Sequence, residues 1–125
     1  MYFVTRLDIE KYRCISNDIK TDEVIITDER IQHINERHLN DFENHSKYLK
    51  DMIDNPQYIL ADKSPNTAII LNEYVEDGHK FRLVLRLAVY NDPPDYKNSI
   101  ITFLEIGERK FKKYLRNKKI LYKAE

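Results

Sequence analysis

Cysteine, glycine and long apolar runs are scarce in this sequence, and each scarcity excludes a class of site. Cys14 is the only cysteine among 125 residues, which excludes an intramolecular disulfide and a cysteine-based zinc cluster. Two glycines are too few for the glycine-rich loop of a P-loop or Rossmann site. No apolar run has the length of a membrane span, and the chain does not open on a basic region followed by an apolar stretch. We therefore expect one cytoplasmic domain, residues 1–125, without a membrane segment or secretory signal.

Charge is distributed unevenly along a chain whose formal net charge is zero. Residues 107–125 carry eight Lys or Arg and two Glu, so the net charge there is +6 and that of the other residues is −6. Phe111, Tyr114 and Tyr122 lie among these cations, and a surface that neutralises phosphate and stacks bases combines the same kinds of side chain. Nucleic acid is therefore the first partner to test. The alternative is a solvated amphipathic helix with a lysine-rich outer face.

The spacing of apolar residues predicts an α+β fold with helices packed on one face of a sheet. Thr27 and Asp28 offer an N-cap and an acidic first turn for a helix that ends near Arg37. A second helix is predicted from residue 40 or 41 to residue 55, and a basic helix from about 108 to 117. Alternation with a period of two predicts strands at residues 2–7, 23–27, 58–60, 67–75, 81–89, 99–106 and 120–123.

The segment from Arg30 to His38 is the first candidate for chemistry. On a helix, Arg30, His33 and Arg37 share one face, while His38 shares another with the apolar residues. Because flanking cations disfavour imidazolium, we expect His33 to be neutral and able to accept a proton. The alternatives are a surface His33 and a core His38 paired with a backbone carbonyl. No metal site is predicted, since His33 and His38 are five residues apart and the zinc motif HExxH needs four.

Two other groups of polar residues lie on predicted strands. Arg82 and Arg86 share one strand face roughly 13–14 Å apart, so they could hold successive phosphates, or pair with acids on neighbouring strands such as Glu73 or Glu105. Three compact hydrogen-bonding residues follow a proline-rich bend, where they could serve a site or close the turn. They are Asn98, Ser99 and Thr102. The other histidines, His45 and His79, are predicted to be surface residues.

These pieces occur in an order that resembles a known family. The matching segments are residues 21–30, 30–38, 55–59, 63–68, 83–87, 97–103 and 114–122, which together span nearly the whole chain. They resemble the phage-associated nuclease domains of the barnase, EndoU, colicin and RelE superfamily. The resemblance implies N-terminal helices packed on a four-stranded antiparallel sheet, with the basic helix at the C-terminus. It also implies metal-independent RNA cleavage by polar residues of a helix and the sheet face. One departure is Leu39, where the family pattern has proline after the Arg-His pair.

We therefore predict a metal-independent endoribonuclease of phage or toxin type, without a cofactor, that cleaves RNA by attack of the ribose 2′-hydroxyl. Proton transfer is assigned to His38 or His33, and stabilisation of phosphate or orientation of the scissile group to Arg37, Arg86, Ser99 and Thr102. RNA binding is assigned to Lys63, Arg82, Asn98, Lys110, Tyr114, Arg116 and Lys118. The expected partners are RNA, with tRNA and mRNA as candidate targets, and a cognate inhibitor protein. The alternative is a non-catalytic module that binds RNA or a phage component with the same fold.

Overall fold

A computed structural model describes residues 1–37 and 41–125. The elements in chain order are β1 (Tyr2–Arg6), α1 (Ile9–Tyr12), β2 (Glu23–Ile26), α2 (Asp28–Arg37), α3 (Asp41–His45), α4 (Lys47–Asp54), β3 (Tyr58–Ala61), β4 (Thr67–Tyr74), β5 (His79–Arg86), β6 (Asn98–Glu105), α5 (Glu108–Asn117) and β7 (Ile120–Lys123). The predicted strands and the basic helix are present with small shifts of their ends. Within the described ranges, no helix combines the length and the apolar character needed to cross a bilayer.

The strands form one mixed sheet of seven strands in the order β1-β2-β6-β5-β4-β3-β7. The prediction of a four-stranded antiparallel sheet with N-terminal helices is therefore wrong, although the fold is α+β. β1 and β2 extend the sheet because β2 pairs in parallel with β6, through Val24 opposite Asn98 and Ile25 opposite Ser99. At the other edge, β7 pairs antiparallel with β3. Alternation in a sequence indicates that a strand exists but not which strand it pairs with, so the added edges were not predictable.

The sheet buries both of its faces, and different helices cover them. On one face, Ile34 of α2 and Met52 of α4 pack with Phe81, Leu83 and other strand residues in the larger core. On the other face, Phe111 of α5 packs in a smaller core. The strand residues of this smaller core are Leu60, Ile69, Leu71 and Leu104. The burial of side chains alternates along β5 as predicted. Phe81, Leu83 and Leu85 are fully buried, whereas Arg82, Val84 and Arg86 are half-buried on the α5 face.

The first helices follow their capping signals only in part. Thr27 caps α2 as predicted, since its Oγ1 accepts a hydrogen bond from the Arg30 amide at 3.2 Å. The single helix predicted over residues 40–55 is divided into α3 and α4 at Ser46. The apolar stripe of α4 is nevertheless buried as its spacing predicts, and Asn55 ends the helix before Pro56.

Candidate active site

A β-bulge in β6 places two predicted site residues on the same face of the sheet. Residues three apart on a regular strand point to opposite faces. In β6, however, Ser99 lies opposite Arg86 and Thr102 lies opposite Val84, so that Ile101 is the extra residue of a bulge. Because residues directly opposite each other share a face, both hydroxyls lie on the α5 face, beside Arg86 and Val84. Both side chains are half-buried, and neither belongs to the smaller core that contains Phe111 of α5.

Arg86 is held by the loop that connects β5 to β6. Its two terminal nitrogens donate to the two carboxylate oxygens of Asp92 at 3.1 and 3.0 Å, and its guanidinium carbon lies 5.3 Å from the centre of the Tyr96 ring. The hydrogen bonds from Arg86 and from the Val89 amide hold the pKa of Asp92 below its usual value. The alternative prediction that Arg86 pairs with Glu73 or Glu105 is therefore wrong. Arg86 is positioned beside Ser99, but its charge is largely neutralised by Asp92.

Arg82 differs from Arg86 in its surroundings. It lies opposite Leu71 and Leu104 on the α5 face, and it donates a hydrogen bond to the Tyr114 hydroxyl of α5. Its guanidinium carbon is 5.6 Å from the centre of the same ring. Among the residues the structure describes, no carboxylate forms an ion pair with it. Arg82 therefore joins the sheet face to α5 and keeps a positive charge that an anion could use.

An open groove of about 810 Å³ runs along α5. Five of its lining side chains are cationic, and among the described lining residues none is a carboxylate. The lining residues are Gly107, Arg109, Lys110, Lys113, Tyr114, Arg116, Asn117 and Lys118. Four of the predicted RNA-binding residues thus meet in one place. They are Lys110, Tyr114, Arg116 and Lys118. The groove combines cations with an aromatic ring, as a surface for a polyanion requires.

Asn98, which we predicted to bind RNA, is fully buried and cannot contact it directly. Its side-chain oxygen accepts a hydrogen bond from the Ala88 amide at 2.7 Å. Its side-chain nitrogen donates to the carbonyl oxygens of Thr21 at 2.8 Å and Glu23 at 3.0 Å. Because these partners are backbone groups, the orientation of the amide is unambiguous. Asn98 therefore fastens the start of β6 to β2 and to the residues after β5. The alternative to RNA binding in the sequence analysis was only that Asn98 closes a turn.

The predicted helix residues do not join the α5 face within the described ranges. His33 is 56% exposed, and its ring nitrogens face Glu29 at 3.7 Å and Glu36 at 3.6 Å. The sequence analysis named the flanking arginines but not these two carboxylates, whose negative charge would favour the imidazolium form. The side chain of Arg37 and all of His38 lie outside the described residues. Lys63 is exposed in the turn before β4, at the same end of the sheet as Arg86.

One cluster was missed by the sequence analysis. His45 and His79, predicted to be surface residues, present ligand atoms within 4.8 Å of one another and of a carboxylate oxygen of Glu105. They lie on the sheet face that α2 and α4 cover. Phe81 is on the same face, and its ring centre is 5.1 Å from that of His45. Beside them, a hydrogen bond from Tyr48 to Asp77 raises the pKa of Tyr48 to about 12, so its hydroxyl stays protonated at neutral pH. No spacing signal links residues 45, 79 and 105. Antiparallel pairing of β5 with β6 brings His79 and Glu105 together, and α3 adds His45.

The mixed sheet carries hydroxyl and guanidinium groups on one face, and a cationic groove beside them is suited to a polyanion. Residues 4–123 match the family model described as phage-Barnase-EndoU-ColicinE5/D-RelE like nuclease2. The match covers nearly the whole chain, so the protein belongs to this family of phage nucleases. The resemblance drawn from the sequence is confirmed. No curated protein and no solved structure is significantly similar to the chain.

Proposed function

We propose that this phage-type nuclease cleaves RNA endonucleolytically and without a metal ion, by attack of the ribose 2′-hydroxyl on the adjacent phosphate. The observation that carries the proposal is the cationic groove of α5, with five basic side chains and Tyr114 on its walls. Tyr114 of the groove accepts a hydrogen bond from Arg82, which lies on the same sheet face as Ser99 and Thr102. RNA supplies its own nucleophile, so the protein needs a base, an acid and cations rather than an activated water.

The reaction divides among three groups of residues. Proton transfer is assigned to His38 or His33, since histidine is the side chain best suited to gain and lose a proton near neutral pH. Because α2 packs on the sheet face opposite Ser99 and Thr102, this histidine has to reach the phosphate past an end of the sheet. Ser99 and Thr102 orient the scissile phosphate by hydrogen bonds, because the bulge places both half-buried hydroxyls on the α5 face. Arg86 and Arg37 stabilise the charge of the phosphorane, Arg82 binds a neighbouring phosphate, and Lys63 extends the binding surface. Arg86 can stabilise the phosphorane only if the phosphate competes with Asp92 for the Arg86 guanidinium.

The products test the proposal directly. Purified protein is incubated with total RNA in the presence of EDTA, and the fragment ends are analysed. Attack by the 2′-hydroxyl leaves 2′,3′-cyclic phosphate ends, and EDTA removes free divalent ions. Cyclic phosphate ends that form at an undiminished rate in EDTA are the expected result. Intact RNA, or cleavage that stops in EDTA, would contradict the proposed reaction.

One observation favours a second function, a non-catalytic module that binds RNA or a phage component. Arg86, the cation nearest to Ser99 on the sheet, is already neutralised by Asp92 and stacked on Tyr96. A binding module needs only the groove and no free cation beside the hydroxyls. This alternative predicts salt-sensitive RNA binding without new fragment ends, so the same incubation separates the two functions.

Removal of three groove cations should weaken RNA binding and its dependence on salt. For the variant Lys110→Ala/Lys113→Ala/Arg116→Ala, we expect the slope of log affinity against log salt to fall by about 2, since single-stranded RNA contributes roughly 0.7 per phosphate contact. Affinity at low salt should fall at least about tenfold. Fluorescence anisotropy with a labelled RNA oligonucleotide, repeated over a series of salt concentrations, measures both quantities.

The matched control removes the same positive charge elsewhere. Arg6, Arg13 and Lys50 lie outside the groove, and each pairs with an acid: Asp22, Glu10 and Asp54. The variant Arg6→Ala/Arg13→Ala/Lys50→Ala should change the salt slope much less, because these cations are already paired. Equal losses in both triple variants would show that net charge, rather than the groove, governs RNA binding.

A further inference from the structure

We propose that His45, His79 and Glu105 form a binding site for a divalent metal ion of the zinc type. The site goes beyond the proposed function and takes no part in the proposed cleavage. Its three ligand atoms, two imidazole nitrogens and a carboxylate oxygen, lie within 4.8 Å of one another. Imidazole nitrogen and carboxylate oxygen are the ligands that zinc takes in proteins alongside thiolate.

The sheet pairing explains why these side chains meet. His79 opens β5 and Glu105 closes β6, and the two strands are antiparallel. Phe81 lies opposite Glu105, so Glu105 shares its face with Phe81 and with His79 two residues earlier. His45 closes α3, which packs beside α4 on that face. A metal ion here would join α3 to the ends of two central strands.

The distances suit coordination after small movements. His79 Nδ1 and Glu105 Oε2 are in hydrogen-bonding contact. A tetrahedral zinc ion with bonds of about 2.0 Å keeps its ligand atoms roughly 3.3 Å apart. Rotations of these side chains can therefore move the close pair apart and draw the third atom inward. Two histidines and one glutamate are a ligand set that zinc uses with a fourth position left for water.

The surroundings are those of a metal site with an open side. The ring centres of His45 and Phe81 are 5.1 Å apart, and those of His79 and Phe81 are 5.5 Å apart. Tyr48 packs on the same group, with its ring centre 5.9 Å from that of His79. The side chains of His79 and Glu105 are 30% and 38% exposed, which leaves a path for the ion to enter.

The site is separate from the proposed reaction centre. His79 and Arg86 are the two ends of β5, so they stand roughly 23 Å apart along the strand. They also lie on opposite faces of the sheet, since odd and even positions alternate. A metal ion at His79 is therefore not placed to act on a phosphate beside Ser99.

Zinc titration of the untagged protein tests the proposal. A Cys14→Ser background removes the one thiol, which is exposed and could bind zinc itself. Isothermal titration calorimetry should then show one zinc ion per chain, and cobalt should give the visible absorption bands of a low-symmetry site. Loss of even an outer partner of a metal ligand typically costs 10- to 100-fold in affinity, so His45→Ala, His79→Ala and Glu105→Gln should each weaken binding about 100-fold or more.

The zinc titration has a matched control and defined results that would overturn the proposed site. His33→Ala removes an exposed histidine flanked by two carboxylates and should leave zinc affinity unchanged. If a histidine variant fails to fold, Glu105→Gln serves alone, because it is nearly isosteric and its side chain is partly exposed. Absence of saturable zinc binding at millimolar concentration, or wild-type affinity in folded Glu105→Gln, would overturn the site. RNA cleavage in EDTA reports on the proposed function alone, so the two failures are distinguishable.

Discussion

Replacement of Asn98 by alanine is expected to lower the free energy of unfolding by about 3–5 kcal/mol. The substitution removes three hydrogen bonds at a fully buried position. It leaves the Ala88 amide and the carbonyl groups of Thr21 and Glu23 without these bonds, and an unsatisfied buried group typically costs about 1–3 kcal/mol. Urea denaturation followed by circular dichroism measures the difference.

A second substitution at the same position separates hydrogen bonding from packing. Asn98→Asp keeps the volume and the acceptor oxygen but puts a second oxygen against two carbonyl oxygens, so at neutral pH it should destabilise at least as much as alanine. Asn91→Ala in the exposed loop after β5 is the control and should stay within about 0.5 kcal/mol of wild type. A wild-type denaturation midpoint for Asn98→Ala would refute the role of Asn98 in holding β2 on β6.

Removal of His33 and His38 together should lower the rate of RNA cleavage by about 10²- to 10⁴-fold, the usual contribution of general acid–base catalysis. The variant is His33→Ala/His38→Ala, and the rate is measured by fragment formation under single-turnover conditions. The single variants then divide the effect between the two residues. We expect the larger loss from His38→Ala, since His33 is exposed and faces Glu29 and Glu36.

The control for these variants lies on α2, the helix that carries His33. Gln32 is exposed in α2 between Ile31 and His33, and Gln32→Ala should retain the wild-type rate. Circular dichroism confirms that each variant is folded. Undiminished cleavage by the double variant would exclude both histidines from the reaction and redirect the search for an acid and a base to other side chains.

Local sequence patterns were sufficient to predict the elements that depend on interactions between residues close together in the chain. The N-cap at Thr27, the basic helix α5 and the alternation of β5 follow from capping and periodicity, and all are present. The pairing of β2 with β6 was not predictable in this way. It depends on the Asn98 side chain, which bonds to Thr21 and Glu23 more than seventy residues earlier in the chain.

In the candidate site, too, some features were predictable from the sequence and others depend on the tertiary structure. Side-chain type and order along the chain identified the nuclease family and four residues of the cationic groove. Spacing alone would have placed Ser99 and Thr102 on opposite faces, and only the bulge at Ile101 brings them together. Likewise, His45 and His79 stand in polar stretches with no local signal. Strand pairing places His79 beside Glu105, and α3 brings His45 to both.

The amino-acid sequence thus determined the class of fold, the family, the strand and helix periods and the concentration of positive charge in residues 107–125. Each of these depends on residue type and on spacing within one element. The tertiary structure decided which side chains meet: Arg86 with Asp92, Arg82 with Tyr114, and His79 with Glu105. The reason is physical, since such contacts depend on strand register, a bulge and long-range pairing, and a change of one residue in register moves every side chain to the other face.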